Sequence, residues 1–254
     1  MIIVAILKHV AGKSADYGAA LDYLKYEHDE VLKRPLLDAN GNWVLRRDIL
    51  LEGINCEPEL FDVECEMLNA QYHKNQNYDE IKTHHYLISF DPADKDECGL
   101  TGEQAQAIGM EYVKANFPGH QALVCTHMDG HNGSGNIHVH IVINSLRKLN
   151  VPQQPFMERP IDCKAGYKHH LTKDYLKHLQ QSLMNICMRE SLNQVDLLSP
   201  SVNKITQQEY YAKQRGQINL DKLNAELIAE GFTPMKTKFQ TEKDKLRDSI
   251  TAAA

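Results

Sequence analysis

The stretch Thr126–Ser145, THMDGHNGSGNIHVHIVINS, restricts the fold more than any other part of the chain. Ile137, Val139, Ile141 and Ile143 alternate with His138, His140 and Val142, the period-2 pattern of a strand. Gln121–Thr126 just before it is a second short apolar run. The loop between them, His127 to Asn136, is rich in glycine and polar residues, so the two runs read as an antiparallel hairpin with a long loop. In that hairpin His138 and His140 leave the same face of the sheet, while their neighbours turn into the core. His127 ends the partner strand and can reach the same face. Three imidazoles on a rigid hairpin make a preset metal site with positions left open for water or a phosphate oxygen. His131, beside Gly130 and Gly133, is a rival third ligand in a less well positioned part of the loop. Asp129 can orient a ligand imidazole or take a proton.

Other parts of the chain bound what surrounds this hairpin. With 42% hydrophobic and 24% charged residues the chain reads as an ordinary globular protein able to bury a full core. No apolar run of about 18 residues occurs, so no membrane segment is expected. The apolar start, Met1–Ile6, is too short for a signal-peptide core. The 6 cysteines form no CxxC pair, which favours free thiols in a reducing cytoplasm over disulfides or a cysteine-based zinc site. The net charge of −6 is unevenly spread. Glu27–Glu66 is strongly acidic, whereas Arg159–Glu190 and Lys236–Arg247 carry more bases than acids. A basic face toward a polyanion is therefore available in the C-terminal part.

The remaining elements follow from local signals. Residues 2–7 read as a buried strand. Ser14 caps a helix running to about Glu27. Asn40-Gly41 is a turn, and 43–54 holds one or two strands. Pro58 opens a helix to about His73. His84–Phe90 is a strand, and Thr101 starts a helix to about Asn116. Helices are expected over 172–191, 206–215 and 220–229, with Gly231 ending the last. The architecture is therefore α+β: a central antiparallel sheet flanked by helices, with a helical C-terminal part. The expected division is 1–150 as a core and 151–254 as a basic, helical extension.

Three tyrosines, Tyr17, Tyr23 and Tyr26, mark the first helix. A phenol has a pKa of about 10, but beside a divalent cation and a base it can attack a phosphodiester and conserve the bond as a phosphotyrosyl ester.

Taken together, ALDYLKY around Tyr23, EGINCE at 52–57, THHYLISF at 83–90, GHQ at 119–121 and HMD…NIHVHIVIN at 127–144 resemble the plasmid mobilisation relaxases of the MobA/MobL type. The resemblance covers roughly residues 1–150. It implies the relaxase fold and a bacterial, cytoplasmic nuclease that nicks one strand at an origin of transfer and later rejoins it. It implies Tyr23 as the nucleophile that stays on the 5′ phosphate. It places Ser89 near the scissile DNA and gives His127, His138 and His140 the metal, with Asp129 and Asn136 supporting the loop. One departure is visible: the loop from Asp129 to Asn136 is longer than the compact family version and adds His131. Relaxases of this type are often longer chains.

The expected cofactor is a divalent metal, Mn or Mg by availability, with Zn, Ni or Co also suited to imidazole. The expected partner is origin-of-transfer DNA, single-stranded and in hairpin or duplex form, with accessory relaxosome proteins. Lys164, Lys168, Lys173 and Lys177, with Arg159, are expected to grip phosphates. Tyr167, Tyr175, Tyr210 and Tyr211 are placed to stack on unpaired bases. Two rivals stand beside this reading. A rolling-circle replication initiator shares HxH and Tyr, but usually places the tyrosine after the histidines. A non-catalytic, metal-containing DNA-binding accessory protein needs the basic part and no tyrosine.

Overall fold

The computed structural model describes residues 6–14, 16–29, 34–128, 136–194, 196–199 and 207–236. Two compact units emerge, Met1–Pro200 and Ser201–Ala254.

The first unit is built on five strands: β1 (Ile6–Gly12), β4 (Ile49–Ile54), β5 (Thr83–Ser89), β6 (His120–His127) and β7 (His138–Arg147). Their order is β1-β5-β7-β6-β4, and every neighbouring pair is antiparallel. The hairpin read from the sequence is the centre of this sheet. Its strands β6 and β7 are buried along their whole length, because helices cover both faces.

Alternation sorts the two faces. Leu123, Cys125 and Val142 pack against α1 (Gly18–Lys25) and α2 (Phe61–Tyr72) through Leu21, Leu24, Phe61 and Cys65. Val124, Val139, Ile141 and Ile143 pack against α4 (Gly102–Asn116) and α5 (Lys173–Arg189) through Ile108, Tyr112, Leu179 and Leu183. A short α3 (Pro92–Asp96) follows β5. Two-residue strands β2 (His28–Asp29) and β3 (Arg34–Pro35) form a small separate ribbon after α1. The fold is α+β, a central antiparallel sheet flanked by helices.

Local chemistry accounts for the helix ends. Thr101 and Gln104 form a reciprocal capping box on α4. Thr172 Oγ1 accepts from Tyr175 N at the start of α5. In α4, Gly109 lies against the sheet: a Cβ there would sit 2.6 Å from Val139 Cγ1 and 2.9 Å from Val124 Cγ1.

Four expectations are revised. The first strand runs over Ile6–Gly12, at a sheet edge, rather than 2–7, whose first four residues lie outside the described ones. Helix α1 spans Gly18–Lys25, not Ser14–Glu27. Ser14 Oγ accepts from Asp16 N, Asp16 Oδ1 accepts from Ala19 N, and Tyr26 is already extended at φ −109° and ψ 151°. In the second unit, 206–215 and 220–229 belong to one helix, α6 (Gln207–Ala229). Gly216 is tolerated within it, since a helical glycine costs only about 1 kcal/mol; Gly231, at φ 81°, follows its end as expected. Finally, the first compact unit continues to Pro200 rather than stopping at 150. The chain after β7 doubles back, with Arg147 N donating to Tyr167 O and His169 N to Ser145 O. Helix α5 then buries Tyr175, Leu179, Leu183, Ile186 and Cys187 in the same core as α4.

Candidate metal centre

Strand register creates the site. His127 lies directly opposite His138 in the β6–β7 ladder, and His140 is two residues further on. All three side chains are buried on the face covered by α1. One ligand nitrogen from each lies within 4.8 Å of the others. Ring centroids are 4.5 Å apart for His127–His140, 4.9 Å for His138–His140 and 5.1 Å for His127–His138.

The outer nitrogens are held by partners that fix the tautomers. His127 Nε2–H donates to the Leu24 carbonyl at 2.9 Å, which leaves Nδ1 as the nitrogen it can offer a metal. His138 Nδ1 lies 3.3 Å from the Asn136 carbonyl, leaving Nε2. His140 Nδ1 lies 2.9 Å from His85 Nε2, leaving Nε2 again. Neutral imidazoles with their second nitrogens anchored are what a divalent cation requires. The residues therefore fit such an ion; its identity is not fixed by an all-nitrogen set. Among the described residues this is the one group of three or more His, Cys, Asp or Glu placed to hold a metal.

The three tyrosines of the first helix separate by position. Tyr17 is buried, and its hydroxyl joins Asn69 and Asn75. Burial pushes its pKa up to about 12. Tyr26 turns to Trp43, with ring centroids 5.3 Å apart. Tyr23 is the one beside the triad: its ring lies 5.6 Å from His140, 5.8 Å from His85 and 5.2 Å from His28. Leu24, whose carbonyl orients His127, is the next residue on the same helix.

Ser89 is also brought in. It pairs with His138 across β5 and β7, and Asn136 Nδ2 donates to its Oγ at 2.6 Å. Asp129 and His131 lie outside the described residues.

The expected DNA-gripping lysines are not brought to the triad. Helix α5, with exposed Lys173 and Lys177, covers the opposite face of the sheet. Lys168 is paired with Glu80 at 2.7 Å, Lys177 with Asp174 at 3.1 Å and Arg159 with Asp162 at 2.6 Å. Lys164 is exposed, and neither it nor Lys173 has an ion pair among the described residues. Of the tyrosines expected to stack on bases, Tyr175 is buried and its hydroxyl donates to the Asn116 carbonyl. Tyr167 is exposed, whereas the side chains of Tyr210 and Tyr211 lie outside the described residues.

His85 was missed by sequence reasoning. It shares a strand face with Leu87 and Ser89, but only the β5–β7 register sets that face against His140. Its surroundings desolvate it and push its pKa down to about 4, so it is neutral and able to accept from His140.

The family described as "Relaxase: MobA/VirD2-like, nuclease domain" matches residues 44–151. Residues 44–151 of the chain are thus similar to a MobA/VirD2-like relaxase nuclease domain. The match includes Ser89 and all three histidines and begins after Tyr23. Two relatives from Staphylococcus aureus, both named protein rlx, are 27% identical over 152 residues and 26% identical over 176 residues. These alignments cover 60% and 69% of this chain, but 40% and 44% of the relatives. The chain thus spans less than half the length of the curated relatives it matches. A solved structure, "Molecular Basis of Vancomycin Resistance Transfer in Staphylococcus aureus", aligns with a TM-score of 0.43 and 11% identity, over 74% of this chain and 92% of that one. No described helix is long and apolar enough to cross a membrane.

Proposed function

We propose that this relaxase domain nicks one DNA strand at an origin of transfer, with Tyr23 as the nucleophile, and later rejoins it. In the forward step Tyr23 Oη attacks the scissile phosphorus. The Oη–P bond forms, the P–O3′ bond breaks, and the departing 3′ oxygen gains a proton. The phenolic proton passes to a base, a role proposed for Asp129. Rejoining reverses these bonds: the 3′-hydroxyl attacks, and Tyr23 leaves.

The observation that carries this reading is the shared mounting of nucleophile and ligands. Leu24 holds His127 through its carbonyl, while the adjacent Tyr23 lies edge-on to His140. A helix fixed to the three histidines in this way supports a role for the Tyr23 phenol toward a phosphodiester that the cation would hold. A divalent cation held by His127, His138 and His140, Mn or Mg in the cell, would polarise the phosphate and offset its developing charge. Ser89, next to His138, is proposed to donate to a phosphate oxygen of the bound strand.

The role of 151–254 is proposed more narrowly than gripping by a separate extension. Lys164 and Lys173 are proposed to meet flanking hairpin or duplex phosphates, with Lys168 and Lys177 contributing once their acidic partners let go. Alanine at Lys164 and Lys173 should each lower the salt slope of DNA binding by about 0.9. An unchanged slope would return these lysines to the role of solvated surface. Accessory proteins at the origin and a cytoplasmic setting complete the proposal.

The decisive assay uses labelled single-stranded DNA carrying the nick site, with Mn present. The wild-type chain and Tyr26→Phe should give a covalent protein–DNA band. Tyr23→Phe should give none and still bind the strand. A band from Tyr23→Phe that disappears in Tyr26→Phe would move the nucleophile to Tyr26. Strand binding with no band from any protein would favour the non-catalytic rival.

A further inference from the structure

Beyond α1 the chain forms a small ribbon that none of the chemistry above uses. Glu27 N donates to Val44 O and Arg46 N to Lys25 O, which sets Tyr26 directly opposite Leu45. Val44 N donates to Leu36 O and Asp38 N to Asn42 O, which sets Leu37 opposite Trp43. These are the narrow, non-hydrogen-bonded kind of antiparallel pair, in which facing side chains stand closest together. Trp43 and Leu45 are two residues apart and so share a face. Tyr26, Leu37, Trp43 and Leu45 therefore form one apolar surface. It is not covered: Leu37 is 60% exposed, Leu45 55% and Trp43 46%.

The surface continues into the candidate nuclease site. Tyr26 packs edge-on against Trp43. His28, two residues beyond Tyr26 and so on its face, lies 5.2 Å from the Tyr23 ring. Exposed Arg34 and Arg47 belong to the same ribbon segment. The acidic Asp38 is occupied in its turn, its Oδ1 accepting from Asn40 N and Asn42 N. The charges around the ribbon are mixed, Glu27, Asp29 and Asp38 standing beside Arg34 and Arg47, so it is the open aromatic surface leading to Tyr23 that matches what unpaired bases bind, a flat ring for stacking.

Resting on the relaxase reading, we propose that the ribbon carrying Tyr26, Leu37, Trp43 and Leu45 is a base-stacking platform, in which Trp43 holds an unpaired nucleobase of the strand presented to Tyr23. Stacking there would fix the strand beside the scissile phosphate without reading its sequence, because every base offers a π-face. The ribbon would act on strand binding and positioning and take no part in bond making.

The chain has 1 tryptophan, so its fluorescence reports on Trp43 alone. The probes are (dT)16 and an abasic strand of the same length, which keeps the phosphates and lacks the bases. Saturable quenching by (dT)16 and little by the abasic strand is the expected result. Trp43→Leu should weaken (dT)16 binding, followed by anisotropy, about five- to hundred-fold, and raise KM for cleavage more than it lowers kcat. Mn binding should stay unchanged, since Trp43 touches no ligand. Leu45→Gln, which keeps the tryptophan, should lose part of the quenching and guards against misfolding of the first variant. Binding of (dT)16 by anisotropy without quenching would overturn the platform and leave the relaxase reading standing. Self-association lost in Trp43→Leu, again without quenching by DNA, would make the ribbon a protein interface and overturn it too. If neither strand binds and no covalent band forms, the relaxase reading falls, and the platform with it.

Discussion

Tyr23 and Tyr26 are three residues apart, yet only one faces the histidines. The helix ends between them: Tyr26 is extended and joins the ribbon, whereas Tyr23 stays on the last turn of α1 beside His140. The motif register favours Tyr23, but no periodicity could have separated the two, because the helix end depends on tertiary pairing with Leu45. The histidines were more legible. His-x-His on a strand fixes a shared face, and a hairpin supplies the third imidazole from the facing strand end. His85 was hidden, because a one-residue change in β5 register would send it to the other face. Its bond to His140 gives a prediction. His85→Ala should weaken Mn binding about 10- to 100-fold by calorimetry, with His85→Gln partly restoring it, whereas His131→Ala should leave affinity unchanged. Equal affinity in His85→Ala and the wild type would remove His85 from the site.

At the level of elements, the hairpin β6–β7, the capping box of α4 and the Thr172 cap of α5 were all readable, because each rests on contacts between near neighbours. The limits of α1 and the fusion of two expected helices into α6 were not. Least visible was the membership of α5. Its bases suggested an outer, DNA-facing extension, but its apolar stripe of Tyr175, Leu179, Leu183 and Ile186 closes the core over α4. Removing it to test DNA binding would therefore expose that core, and surface lysine variants are the sounder probe. The packing of α4 is tighter still. Gly109→Ala would gain up to about 1 kcal/mol of helix propensity, yet it must push Val124 and Val139 aside. A net loss of about 1–3 kcal/mol is expected from urea unfolding. A net gain would show that the helix can lift from the sheet at no cost.

Across the whole first unit, the two sheet faces divide the labour. One carries the three clustered histidines and Tyr23 under α1. The other buries a second group of bases, His84, His120, His169 and Arg147, with His9 beside His84 and Tyr86 bonded to His169. Burial, followed by the nearby Arg147, holds His120 down to about 3, and burial likewise holds His169 well below its usual value. An unfolded histidine titrates near 6.5, so between about pH 6.5 and 3 the unfolded chain binds more protons than the folded one. Stability should therefore fall as pH drops below 6.5, by about 2 kcal/mol per buried histidine at pH 5. Thermal unfolding at pH 7.5 and pH 5 checks this, and an unchanged midpoint would contradict it. The central claim is that Tyr23 becomes covalently bound to DNA. Trypsin separates the candidates by cutting after Lys25, so Tyr23 lies in the peptide Ser14–Lys25 and Tyr26 in the next one. Mass spectrometry of the digested, nuclease-trimmed adduct should find the nucleotide mass on Ser14–Lys25, with fragment ions placing it on Tyr23 rather than Tyr17. A nucleotide on Tyr26, or none on either peptide from a metal-loaded, DNA-bound protein, would contradict the account.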